Sequence, residues 1–233
     1  MAIDRIALVT GANRGIGYEI ARQLGDKGFH VLVGARNTDA GNRAAVSLQK
    51  SGMSAEYIEI DVSDRTSIQK AAKTVAATFI HLDVLVNNAG IMDKGKSIAD
   101  LDDDTLLDAL TTNTIGPWRV TQAFIPLLLK SSHASVINMS SGLGQLSDME
   151  DDYPAYSISK TALNAVTRQF AAALRDKHIT VNSVCPGWVR TDMGGPSAPR
   201  TVDQGADTVT WLATEAPRDL TGQFLRDRKA IAW

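Results

Sequence analysis

Residues 3–28 read IDRIALVTGANRGIGYEIARQLGDKG. Residues 3–10 are a short apolar run of strand character, and 18–28 have helical character. Between them stands a Gly-rich turn, Gly11-Ala12-Asn13-Arg14-Gly15-Ile16-Gly17. Strand, glycines and helix in that order are the setting in which a glycine pattern means a phosphate-binding turn. Gly11 permits the tight bend. Gly15 and Gly17 permit close approach of a pyrophosphate and of helix to strand. The helix N-terminus offers free N–H groups and a partial positive charge to phosphate. The spacing, Gly-x-x-x-Gly-x-Gly, is longer than the common dinucleotide fingerprint. Without its flanks it would read as a plain turn.

Outward from this unit the alternation continues. Strand-like runs fall at 29–34, 56–60, 82–86, 134–139, 178–184 and 223–225. Helix-like stretches fall at 41–50, 66–79, 101–130, 154–175 and 202–213. The stretch 101–130 is expected to break near Gly116-Pro117. Apolar runs alternating with helices indicate an α/β protein, a mostly parallel sheet covered on both faces. Right-handed crossovers then make it a Rossmann-type doubly wound sheet. One sheet consumes the chain, without repeats or linker-like stretches, so a single domain over 1–233 is expected.

Composition narrows the function. With 44% apolar and 21% charged residues, the chain is ordinary for a globular domain. A net charge of −2 leaves no electrostatic footprint for nucleic acid or an anionic membrane. The single cysteine, Cys185, excludes an internal disulfide and a cysteine-based metal cluster, and it reads as a small buried residue rather than a nucleophile. No histidine has ligand-like spacing, so no metal is expected. With no leader-like segment or bilayer-length apolar run, a cytoplasmic protein is expected.

The second strand bears on cofactor choice. NAD-binding sheets place an acidic residue about 20 positions past the glycines, on the ribose 2′-hydroxyl. Here the strand ends Val33-Gly34-Ala35-Arg36, with no carboxylate at its tip. Arg36 there, with Arg14 in the Gly turn, suits a 2′-phosphate and hence NADP(H). The plainer alternative is two surface arginines.

Residues 154–175 (PAYSISKTALNAVTRQFAAALR) place Tyr156 and Lys160 one helical turn apart, on one face. A cation beside a phenol favours the phenolate, and lowering a phenol from its usual pKa of about 10 would suit it to acid–base work near neutrality. The alternative is a packed tyrosine beside a solvated lysine.

With these stretches read, the chain resembles the short-chain dehydrogenase/reductase family over nearly its full length, in its carbonyl reductase-like branch. The matching stretches are TGANRGIG (10–17), Asp61-Val62, NNAG (87–90), Asn113, Ser140-Ser141, YSISK (156–160) and PGWVRTDM (186–193). GWVRTDM (187–193) and the ending GQFLRDRKAIAW (222–233) point to the carbonyl reductases.

The resemblance implies an oxidoreductase whose catalytic set is Asn113, Ser141, Tyr156 and Lys160. Tyr156 would protonate the carbonyl oxygen as hydride reaches carbon. Lys160 would lower its pKa and hold the nicotinamide ribose. Ser141 would polarise the carbonyl; Ser140, on the other side of the strand, is the lesser choice. Asn113 would hold a helix break and a water relaying protons to Lys160; a locally bonded helix Asn is the alternative. Gly11, Asn13, Arg14, Gly15, Ile16, Gly17 and Arg36 would take the phosphates. Asp61 and Val62 would meet the adenine, and Asn88, Ala89 and Gly90 its ribose. Pro186, Gly187, Val189 and Thr191 would face the nicotinamide. Family members with a long insertion before the tyrosine are associated with a monomeric state. That insertion is absent here, so a homodimer or homotetramer through the long helices is expected.

Substrate choice should lie in the loops 91–99, 142–152 and 188–200, beyond the carboxyl ends of the strands. Asp148, Glu150, Asp151 and Asp152 in the second argue mildly against anionic substrates. Gly194, Gly195, Pro196 and Pro199 in the third suit a mobile lid, with Trp188 and Met193 as an apolar wall. Three functions stay open: an NADPH-dependent reductase of small carbonyl compounds, an oxidising alcohol, steroid or sugar dehydrogenase, and a non-catalytic dinucleotide sensor.

Overall fold

Every residue of β1, Ile6–Thr10, is buried, because this strand lies inside the sheet with helices on both faces. The structure is a computed structural model and describes residues 5–93, 95 and 97–233. Ile3 and Asp4, expected to open the first strand, lie outside the described residues.

The chain runs β1, α1 (Gly15–Asp26), β2 (His30–Ala35), α2 (Thr38–Lys50), β3 (Ala55–Glu59), α3 (Arg65–Thr78) and β4 (Val84–Asn87). Then follow α4 (Asp103–Leu110), α5 (Gly116–Leu128), β5 (Ala134–Met139), α6 (Pro154–Leu174), β6 (Ile179–Val184), α7 (Val202–Thr214), β7 (Phe224–Arg226) and β8 (Lys229–Ala230). Strand order is β3-β2-β1-β4-β5-β6-β7-β8. All pairings are parallel except β7 with β8. The order reverses between β1 and β4, and such a reversal opens a crevice at the carboxyl ends.

Alternation along β1 sorts the core. Ile6 and Leu8 join α3, α5 and α6 on one face, whereas Ala7 and Val9 join α1, α2 and α7 on the other. A buried polar chain fastens α6 to the sheet: Asn87 donates to Asn138 at 2.8 Å, Asn138 to Thr167 at 2.9 Å, and Thr167 meets Ser183 at 2.8 Å. Buried side-chain networks of this kind fix a helix in one register.

Two segments differ from the sequence reading. The break expected near Gly116-Pro117 lies a turn earlier, as a widened π-helical turn at Thr111–Ile115. Pro117 sits in the first turn of α5, where a missing N–H is tolerated. Strand β8 was not expected. Asp227 and Arg228 both take positive φ (51° and 60°) and turn the chain back, as in a tight hairpin. No helix among the described residues is long and apolar enough to cross a membrane.

Candidate active site

The sequence-expected residues converge on one cavity of about 1260 Å³ at the carboxyl ends of the central strands. Asn113 alone is not on its wall.

At the outer end lies the Gly turn. Helix α1 begins inside it, at Gly15, with no side-chain cap from Arg14 and no acidic residue in its first turn. No side chain there satisfies the first N–H groups, which open on the cavity. Gly11 and Gly15 have φ of 65° and 58°. A Cβ on Gly17 would stand 2.4 Å from the Gly11 carbonyl oxygen and from Asn88 Nδ2. Gly15 by contrast meets only the Thr191 side chain, at 3.5 Å. The Asn88 amide donates to the Thr10 carbonyl at 2.9 Å, and Thr10 Oγ1 accepts from the N–H groups of Asn88 and Ala89. Asn88 therefore braces the Gly turn from behind.

Arg36 follows the end of β2 and is exposed, with no carboxylate at the strand tip. Arg14 is also exposed and pairs with Asp192 at 2.5 Å, linking the Gly turn to the loop 188–200. Asp61 lies two residues past the end of β3, not on it; its Oδ1 accepts from the Ser63 N–H and hydroxyl. A glycine-lined turn, uncapped helix N–H groups and a cationic strand tip fit a dinucleotide carrying a 2′-phosphate.

At the inner end, Tyr156 and Lys160 lie one turn apart on α6. Lys160 Nζ is 5.5 Å from the Tyr156 ring centroid and donates to the Met139 carbonyl at 2.7 Å. Ser141 lies beside the Tyr156 hydroxyl, where it favours the phenolate, and accepts from the Leu143 N–H at 3.2 Å. Ser140 is buried on the opposite side, its hydroxyl toward the Lys160 carbonyl. The turn holding Ser141 is tied to α6 by Thr161 and Asn164, which both donate to the Gly144 carbonyl. Asp93 accepts from the Tyr156 N–H at 3.0 Å, tying the start of α6 to the loop after β4.

Asn113 sits in the widened turn, fully buried. Its amide donates to the Ile91 carbonyl and to Ser159 Oγ, and its Oδ1 accepts from the Ile91 N–H. The side chain thus pins the loop after β4 to α6. Pro117, four residues on, has no N–H for the Asn113 carbonyl.

The family model described as short chain dehydrogenase matches residues 5–201. The chain belongs to the short-chain dehydrogenase family. A (+)-neomenthol dehydrogenase of Arabidopsis thaliana is 32% identical, covering 98% of this chain and 97% of its own. Carbonyl reductase (NADPH) 3 of Mus musculus is 32% identical, covering 99% of both. The solved structure of NADPH-bound carbonyl reductase from chicken fatty liver covers 100% of both chains, with 31% identity and a TM-score of 0.89.

Electrostatics in this short-chain dehydrogenase differ from the sequence reading. Burial pushes the Tyr156 phenol up to about 12, against a downward pull from the Ser141 hydrogen bond. Burial also draws the Lys160 ammonium down to about 8. The expected lowering of the phenol by the lysine does not emerge, because both groups leave water together and Lys160 turns its Nζ to a carbonyl.

The remaining expected residues, Pro186, Gly187, Val189 and Thr191, line the same cavity. Gly187 has φ of 76°, and a Cβ there would stand 2.5 Å from Arg200 Cδ. Val189 is buried against Gly205. Thr191 Oγ1 accepts from the Gly194 N–H at 3.0 Å. The loop 188–200 is stitched by paired backbone bonds between Arg190 and Arg200 and between Arg200 and Trp188. Trp188 and Met193 are exposed on the cavity wall. Of the acidic run, only Asp152 reaches that wall. In the loop 91–99, Lys94 and Lys96 lie outside the described residues. Sequence reasoning missed Arg226 and the Met139 carbonyl; both arrive from distant segments, and neither carries a local signal.

Proposed function

We propose that the protein reduces a ketone or aldehyde to the alcohol with NADPH, the proton coming from Tyr156. Bound NADPH supplies the hydride. The Gly turn (Gly11, Asn13, Gly15, Ile16, Gly17) holds its pyrophosphate, and Arg14 and Arg36 its 2′-phosphate. Asp61, Val62, Asn88, Ala89 and Gly90 hold the adenosine, and Pro186, Gly187, Val189 and Thr191 the nicotinamide. NADPH in the chicken carbonyl reductase structure, of the same fold and 31% identical, supports this reading.

The observation that carries it is a buried phenol beside a serine hydroxyl at the inner end of the cavity. With its pKa pushed up to about 12, Tyr156 is protonated at neutral pH and is a donor. Oxidation would use the same group as a base, and the cofactor ratio sets the direction. Ser141 donates to the carbonyl oxygen and holds it against the phenol. Lys160, an ammonium below about pH 8, steadies the phenolate left behind. The Asn113 carbonyl, without a donor from Pro117, accepts a water that passes the replacement proton toward Lys160.

Exposed Leu107 on α4, Trp118 on α5 and Leu129 just past it favour a homodimer or homotetramer through those helices. The free, buried thiol of Cys185 suits the cytoplasm.

Replacing Tyr156 by Phe tests the assignment. Turnover of a reducible carbonyl should fall by about 10²–10⁴ while NADPH binding, read by its fluorescence, is retained. An unchanged rate would remove Tyr156 as the proton donor.

A further inference from the structure

Arg226, at the end of β7, reaches the wall of the catalytic cavity. It packs against the turn that carries Ser141. A Cβ on Gly142 would stand 3.1 Å from Arg226 Nη2 and 3.8 Å from Cys185 Sγ. Its hydrogen bonding is sparse. Nη2 reaches Gln145 Oε1 at 3.5 Å, and Nε is buried with no partner among the described residues.

Four other arginines hold carboxylates. Arg200 holds Asp227 through both oxygens, at 2.5 and 3.2 Å. Arg228 holds Asp207, Arg22 holds Glu19 and Asp26, and Arg14 holds Asp192. Arg226 forms no ion pair among the described residues, although Asp227 is next in sequence, because Asp227 is committed to Arg200. Arg226 is half-buried, and with Nε unpartnered and Nη2 only weakly bonded it has donors free for a ligand anion. Its planar fork matches a carboxylate.

We infer that Arg226 determines substrate specificity by binding a carboxylate adjacent to the reducible carbonyl, so that the substrate class is the 2-oxo acids. The inference rests on the reductase reading above. Ser141 meets the Tyr156 hydroxyl, and the next residue, Gly142, meets Arg226. Ser141 and Arg226 thus meet one turn of the cavity wall, which suits a short substrate carrying its carboxylate beside its carbonyl. Of the exposed acids, Asp148, Glu150 and Asp151 do not reach the cavity wall; Asp152 does, and Arg226 must outweigh it there. In the reaction the carbonyl carbon gains hydride from NADPH, which leaves as NADP⁺. The carbonyl oxygen gains the Tyr156 proton, restored from solvent, and the carboxylate is unchanged.

The test compares phenylglyoxylate with its ethyl ester, NADPH in excess, in wild type, Arg226→Met and Arg226→Lys. Wild type should favour the acid in kcat/KM. Arg226→Met should lower the acid-to-ester ratio about thirty-fold, mainly through the KM of the acid, and Arg226→Lys should recover part of it. Wild type favouring the ester, or Arg226→Met lowering both substrates equally, overturns the inference and leaves the reductase reading intact. No turnover of the ester, the acid or any neutral ketone overturns both. If Arg226→Met does not fold, wild type favouring the ester, or an acid-to-ester ratio unchanged in Arg226→Lys, is the refuting result.

Discussion

The Lys160 ammonium lies 5.5 Å from the centroid of the Tyr156 ring, yet its hydrogen bond runs to the Met139 carbonyl. Two ionisable groups are thus buried side by side on one helix, 4% and 9% exposed, with no carboxylate partner among the described residues. Each is driven toward its neutral form, and that has consequences for stability as well as chemistry.

For Lys160 the folded pKa of about 8 lies below the ordinary 10.5. Between those values the unfolded chain binds the extra proton, so stability rises with pH across that window. Below about pH 8 the folded protein carries the full cost of the buried cation, about 3 kcal/mol. Lys160→Met should therefore gain stability relative to wild type at pH 7, less about 1 kcal/mol for the lost bond to Met139. The gain should fade by pH 10, while turnover is lost throughout. Denaturant unfolding of both proteins at the two pH values checks this; a difference that does not change with pH would refute it. Tyr156 acts oppositely, since its raised pKa makes stability fall as pH climbs from about 10 to 12 in both proteins.

Cofactor preference should hinge on the strand tip. Arg36 follows Ala35 in the open, whereas Arg14 already has Asp192. Replacing Arg36 by Ala should lower kcat/KM for NADPH about tenfold and leave NADH nearly unchanged, the size expected for one solvent-weakened charged hydrogen bond. Arg14→Ala should do less, because a partner carboxylate competes for it. Steady-state kinetics with both cofactors on one carbonyl compound read this directly. Equal losses for NADPH and NADH would show that the 2′-phosphate is not bound there.

The turn at Gly11–Gly17 should tolerate no side chain at its last glycine. At Gly17 a methyl would press on the Gly11 carbonyl and on the Asn88 amide, which donates to the Thr10 and Gly11 carbonyls. Gly17→Ala should cost about 1–3 kcal/mol of stability and abolish dinucleotide binding. Thermal melting with and without NADPH separates these effects: the melting point falls, and the shift on adding cofactor disappears.

Much of this was legible in the residues because it is local. Short continuous apolar runs, helical spacing and a glycine turn between them depend on neighbours along the chain, and they specify a doubly wound sheet. The same locality puts Tyr156 and Lys160 on one flank, and sends Ser140 and Ser141 to opposite sides of a strand. Boundaries moved by a residue or a few, since helix ends such as Gly15 are set by turn geometry rather than by composition.

What tertiary structure decided is whatever depends on burial or on meetings between distant segments. The widened turn at Thr111–Ile115 forms where Asn113 ties Ile91 to Ser159, residues far apart in sequence. Arg226 gains a place in the cavity only when β7 pairs with β6. The directions of the Tyr156 and Lys160 shifts reverse the simple pairwise expectation. Spacing along a helix reports which charges are neighbours, but not how much water the fold leaves around them.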